Sequence, residues 1–165
     1  MLEPLERGPH LATGALAFLF TDIAGSTQLW ERQPQAMRAA LARHDAILRM
    51  AIETAAGRVV KTTGDGLMAV FPTAVDAVAA SLAAQRALAD VRWGETGPLL
   101  VRMGLHAGDA EQRGDDYFGP TINRAARIMA AGHGGQVLLS SAAAALAADA
   151  LPRGASLRDL GEHRL

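Results

Sequence analysis

The chain has 165 residues, half of them apolar, and carries a net charge of −1 with no cysteine. That length and apolar content suit one globular domain with a single core. The near-neutral balance gives no broad electrostatic footprint for nucleic acid, and the missing thiols exclude disulfides and thiolate metal sites.

In chain order, residues 1–14 are polar with two prolines and read as a tail or linker. They lack the basic-then-apolar order of a signal peptide, and no apolar run approaches the roughly 20 residues of a membrane span. A soluble, cytoplasmic protein is expected. Leu16-Ala17-Phe18-Leu19-Phe20 reads as a buried strand, followed by a short helix over 26–33 and a long amphipathic helix over 35–56, stopped by Gly57. A hairpin follows, with strands over 58–62 and 67–71 and a turn at Gly64-Asp65-Gly66. Next come a helix over 73–88, a loop over 91–98, a strand over 99–108, and a hairpin tip at Arg113-Gly114-Asp115. A helix over 119–131, a strand over 136–139, a helix opened by Ser140 or Ser141 and a last short strand near 157–160 complete the order. Hairpins mixed with crossovers imply an α/β (α+β) domain, a mixed and mostly antiparallel sheet flanked by helices, as in ferredoxin-like palm folds.

Two runs carry the chemistry. Phe20-Thr21-Asp22-Ile23-Ala24-Gly25-Ser26 and Lys61-Thr62-Thr63-Gly64-Asp65-Gly66 each end an apolar stretch with a carboxylate beside glycine. Hard cations demand oxygen ligands, so two aspartates and a main-chain carbonyl suit the divalent ions that accompany a nucleoside triphosphate. Taken singly, Asp22 reads equally as a helix cap and Asp65 as a turn residue. If the hairpin neighbours the first strand, the two carboxylates converge. Downstream, Asn123 and Arg127 lie four apart on one helix and share a face, an amide beside a guanidinium fork that matches a ribose next to a phosphate. Arg124 is expected to point elsewhere, into solvent.

In this order, Phe-Thr-Asp-Ile-x-Gly-Ser, Lys-Thr-x-Gly-Asp-Gly, Arg-x-Gly-x-His-x-Gly and Asp-Tyr-Phe-Gly-x-x-x-Asn-Arg-Ala-Ala-Arg resemble the class III nucleotidyl cyclase catalytic domain, especially its bacterial branch. The resemblance runs from about residue 15 to 165. It implies an adenylate cyclase that converts ATP to 3′,5′-cyclic AMP and pyrophosphate with two Mg²⁺ or Mn²⁺ ions per site. Asp22 and Asp65 match the metal aspartates, with the Ile23 carbonyl as an extra ligand. Lys61 and Asp116 match the purine-reading pair, complementary to adenine N1 and its amino group and mismatched to guanine. Asn123 and Arg127 match the ribose-orienting and transition-state residues. Arg102 matches a triphosphate-binding arginine, with a surface role on an edge strand as its other reading.

Gly25, Ser26 and Thr27 would open a helix whose free N–H groups face phosphates. The family's head-to-tail dimers imply a homodimer with two shared sites. Its basic contact near the C-terminus would fall to Arg164. His106 and His133 read as structural, His44 has no nameable partner, and Trp30 reads as core or dimer contact. A diguanylate cyclase is disfavoured because its Gly-Gly-Asp/Glu-Glu-Phe signature is absent. A guanylate cyclase and a nucleotide-sensing module stay open.

Overall fold

The computed structural model describes residues 15–165; the expected tail over 1–14 lies outside the described residues. Among the described residues, seven strands and five α-helices run in the order β1 (Leu16–Ile23), α1 (Ser26–Arg32), α2 (Pro34–Thr54), β2 (Arg58–Thr63), β3 (Gly66–Phe71), α3 (Ala74–Ala89), β4 (Val101–Gly108), β5 (Glu111–Arg113), β6 (Asp116–Phe118), α4 (Pro120–Ala130), β7 (Val137–Leu139) and α5 (Ser141–Ala147). Single 3₁₀ turns at Gly94–Thr96 and Ala148–Ala150 interrupt the loops.

The main sheet has the order β2-β3-β1-β4-β7, antiparallel throughout except for the β4–β7 pair, while β5 and β6 form a separate hairpin. It is the mixed, mostly antiparallel palm fold that the sequence implies. Strand β1 sits at the centre, bonded to β3 on one side and β4 on the other, and its run Ala17, Phe18, Leu19 and Phe20 is buried on both faces. One face packs beneath α2, α3 and α5 through Leu19, Ile23, Met37, Leu48, Ile52, Met103 and Leu105. The opposite face holds a smaller cluster, Phe18, Phe20, Met68, Val70 and Tyr117, covered by Ile122 and Ala125 of α4. Phe18 and Tyr117 meet edge to face at 5.3 Å between ring centroids.

Local signals explain the helix ends. Pro34 sits at the start of α2, where its missing N–H costs nothing. Thr73 caps α3, its hydroxyl accepting the Asp76 N–H at 3.1 Å, and Ser140 caps α5 in the same way from Ala143. Helix α2 ends in a Schellman arrangement: the Gly57 N–H donates to the Ile52 carbonyl at 2.8 Å and the Ala56 N–H to the Glu53 carbonyl at 3.2 Å. The left-handed residue there is Ala56, φ 59°. Gly57 is required for a different reason, since a Cβ on it would run into the Phe71 ring.

Three expectations change. Residues 151–165 form no strand; Leu157 and Leu160 are exposed, and no neighbouring strand offers that run a ladder. Strand β4 lies between β1 and β7, so Arg102 does not stand on an edge. His44 is fully buried in α2 and its Nδ1 lies 2.9 Å from Asp45 Oδ1, giving it the partner the sequence did not name. Trp30 packs on the main core. Among the described residues no helix is long and apolar enough to cross a membrane.

Candidate active site

Asp22 occupies the C-terminal end of the central strand, and the register pairs it with Arg102 on β4. Cross-strand partners face each other at close range, and the Arg102 guanidinium grips both carboxylate oxygens: Nε donates to Oδ1 at 2.6 Å and Nη2 donates to Oδ2. The bond to Asp22 raises the Arg102 pKa above its ordinary value, and the charges of Asp22 and Asp65 add to it against the opposing effect of burial.

The β2–β3 hairpin brings the second carboxylate. Gly64 takes a left-handed conformation, φ 70°, that makes the tight turn possible. Gly66 then passes so close to β1 that a Cβ would collide with the Thr21 carbonyl, and the Thr21 hydroxyl accepts the Leu67 N–H at 3.2 Å. Asp65 is thereby pressed against the Asp22 end of the sheet. Its Oδ2 is buried with no hydrogen-bond partner. An ionised oxygen left so is costly unless a cation meets it, and this orphaned atom fits a divalent ion. Among the described residues no cluster of three or more His, Asp or Glu side chains forms a metal cage. Two carboxylates alone suit an ion that completes its shell with water and phosphate oxygens.

Lys61 and Asp116, 55 residues apart, meet in one pair: Lys61 Nζ lies 2.8 Å from Oδ2 and 3.1 Å from Oδ1 of Asp116. A β-bulge between Val59 and Lys61 brings this about. Val59 pairs with Ala69 of the main core and Lys61 with Met68 of the opposite cluster, so the extra residue turns Lys61 onto the face that carries β6. The Lys61 ammonium and the Tyr117 N–H hold the Asp116 carboxyl below its ordinary pKa. Phe118, partly exposed, presents its ring 5.6 Å from Lys61 Nζ and 5.4 Å from the Arg113 guanidinium carbon.

Asn123 and Arg127 share one face of α4, as their spacing predicts, and line a cavity of about 460 Å³. Arg124 lines the same cavity, as do His163 and Leu165 of the C-terminal segment; Arg164, the expected basic contact, is not among its walls. Arg124 therefore does not point away, because the broad groove spans more of the helix than one i, i+4 stripe. Nothing in the local pattern of residues 161–165 could have shown that they return to α4. His106 meets the α5 cap: its Nδ1 lies 2.7 Å from the Oγ of Ser140.

Gly25 is left-handed, φ 71°, and α1 starts at Ser26 with Thr27 in its first turn and no side chain capping its free N–H groups. Ile23 is the last residue of β1, with its side chain in the main core. Within one chain the residues therefore assemble as three groups: Asp22, Asp65 and Arg102 at a sheet end, Lys61 with Asp116, and Asn123 with Arg127.

The family model of the adenylate and guanylate cyclase catalytic domain matches residues 10–162. The chain belongs to that family. An uncharacterized protein of Mycobacterium tuberculosis is 40% identical over 155 residues, 93% of this chain and 52% of that protein. An adenylate cyclase of Podospora anserina is 38% identical over 154 residues, 78% of this chain and 7% of that protein. The chain thus spans about half the length of its mycobacterial relatives and a small part of the fungal one. Among solved structures, an adenylate/guanylate cyclase/hydrolase from Silicibacter pomeroyi superposes with a TM-score of 0.76 at 32% identity, covering 92% of this chain and 88% of that one.

Proposed function

We propose that this cyclase domain is an adenylate cyclase, converting ATP to 3′,5′-cyclic AMP and pyrophosphate at sites shared between two copies of the chain. The observation that carries the choice of purine is the Lys61–Asp116 pair. It offers one donor and one acceptor side by side, the complement of adenine N1 and the adenine amino group. Guanine presents the opposite pattern and would leave both protein groups unpaired once the bound base had displaced their water, which discriminates strongly.

Asp22, Asp65 and the Ile23 carbonyl would hold two Mg²⁺ or Mn²⁺ ions. Bound there, such ions lower the pKa of the ribose 3′-hydroxyl and neutralise the triphosphate and the departing pyrophosphate. Asn123 would fix the ribose by hydrogen bonding, so that its 3′-oxygen lies in line with the α-phosphorus. Arg127, one turn further along α4, would meet the charge that develops on the α-phosphoryl oxygens. Arg102 and the first N–H groups of α1, from Gly25, Ser26 and Thr27, would meet the β and γ phosphates. Within the described residues of one chain no hydrogen bond or ion pair joins Asp22, Asp65 or Arg102 to Asn123 or Arg127, which supports sites completed by a second copy.

The test is product formation from ATP or GTP with Mg²⁺ or Mn²⁺, across protein concentration, for the wild type and Asp65→Ala. Cyclic AMP and pyrophosphate from ATP are expected, with specific activity rising with concentration and abolished in the variant. A cyclic product from GTP instead would overturn the reading of Lys61 and Asp116. Bound ATP without turnover would make the domain a nucleotide sensor.

A further inference from the structure

Both oxygens of Asp22 are occupied by one guanidinium. The strands fix this pairing, because Asp22 and Arg102 are direct cross-strand partners with side chains only 22% and 29% exposed, and water screens them incompletely. The remaining nitrogen of Arg102, Nη1, donates only a long bond, 3.5 Å, to the Ala130 carbonyl at the end of α4. Asp22 is the principal anchor of the guanidinium. Asp65, by contrast, keeps a buried oxygen without a partner. Two carboxylates and one guanidinium leave this sheet end with a single net negative charge, whereas a divalent ion is best held by both carboxylates at once.

We propose that Arg102 is the counter-ion of the nucleotide-free site: it holds the Asp22 carboxylate until a divalent cation displaces it, and the freed guanidinium then turns to the triphosphate. The proposal rests on the reading of Asp22 and Asp65 as metal ligands. Arginine and metal compete for the same two oxygens, so the nucleotide-free protein binds divalent ions weakly. A triphosphate gives Arg102 a second anion and removes that competition. Metal and triphosphate binding therefore reinforce each other, and the coupling is reciprocal.

The experiment titrates Mn²⁺ alone into wild type, Arg102→Met, Arg102→Lys and Asp65→Asn, following free Mn²⁺ by its electron paramagnetic resonance signal, and measures the KM for ATP separately. Circular dichroism melting confirms that each variant folds, with Arg102→Lys as the gentler change. Arg102→Met should bind Mn²⁺ tighter by roughly three- to tenfold, the worth of one part-exposed bidentate ion pair, and Arg102→Lys by less. Its KM for ATP should rise by about tenfold, the loss of one charged phosphate contact. Opposite signs are the signature, since a merely structural arginine would weaken both. Mn²⁺ affinity unchanged or lower in both arginine variants, with binding still lost in Asp65→Asn, overturns the proposal alone. Mn²⁺ binding that is absent in every protein, or indifferent to Asp65→Asn, overturns the metal-ligand reading beneath it as well.

Discussion

Gly104 decides where α4 lies, and replacing it with alanine would move the helix that carries Asn123 and Arg127. The residue stands mid-strand in β4, bonded through its neighbours to β1 on one side and β7 on the other, so its backbone cannot retreat. A Cβ there would lie 2.6 Å from Met129 Cα and 2.7 Å from Met129 Cβ. Ordinary carbon contacts are about 3.5–4.0 Å, so α4 must withdraw by about 1 Å. Overpacking of this kind costs about 1–3 kcal/mol. At about 2–4 °C per kcal/mol for a domain of this size, the melting temperature should fall by roughly 2–12 °C. A displacement of about 1 Å at reacting groups also costs on the order of 10²-fold in rate, so kcat should fall by that factor. Gly108 provides the control on the same strand and face. A Cβ there meets only Thr121 side-chain atoms, Oγ1 at 3.0 Å and Cγ2 at 3.3 Å, so a shift of a few tenths of an ångström accommodates it. Thermal melting and steady-state cyclase assays on Gly104→Ala and Gly108→Ala decide the matter. If Gly104→Ala melts earlier yet keeps kcat within about twofold, the position of α4 does not limit the chemistry and the roles given to Asn123 and Arg127 are wrong.

Asp116→Ala should lower kcat/KM for ATP by about 10- to 100-fold and bring ATP and GTP within a few-fold of each other, because the discriminating acceptor is gone; a preserved preference in competition assays would place purine reading elsewhere. Ala56→Gly should stabilise the fold by about 0.5–1 kcal/mol, since alanine strains in the left-handed C-cap by more than glycine loses in chain entropy; denaturant unfolding measures it, and a loss of stability would contradict the cap assignment. Burial, and then the Arg124 charge, hold the His106 pKa below its ordinary 6.5. The unfolded chain then takes up the proton first as pH falls, so this contribution to stability is whole above about 6.5 and declines through that value toward the depressed folded one. Melting temperatures between pH 7.5 and 5.5 should drop less for His106→Gln than for the wild type, and equal slopes would remove His106 from the account.

Much of the molecule was legible without coordinates because its signals are local. The apolar run of β1, the proline and threonine that open α2 and α3, the Gly64-Asp65 turn and the i, i+4 pair on α4 each depend on residues a few positions apart, where backbone sterics and periodicity decide. The four ordered motifs likewise placed the chain in its family. The same local rules failed at residues 157–160, where the structure forms no strand and Leu157 and Leu160 are exposed.

What only the tertiary structure decided lies in contacts between residues far apart in the chain. A single bulge after Val59 turns Lys61 to the face of Asp116, 55 residues away, and no pattern in Arg58–Thr63 marks it. The β1–β4 register sets Arg102 against Asp22 across 80 residues, so within the chain the arginine that the sequence assigns to phosphates meets a carboxylate. The final residues fold back to line the Asn123 and Arg127 cavity. Side-chain identity fixes what a group can bond, while register and strand order fix which partner it meets.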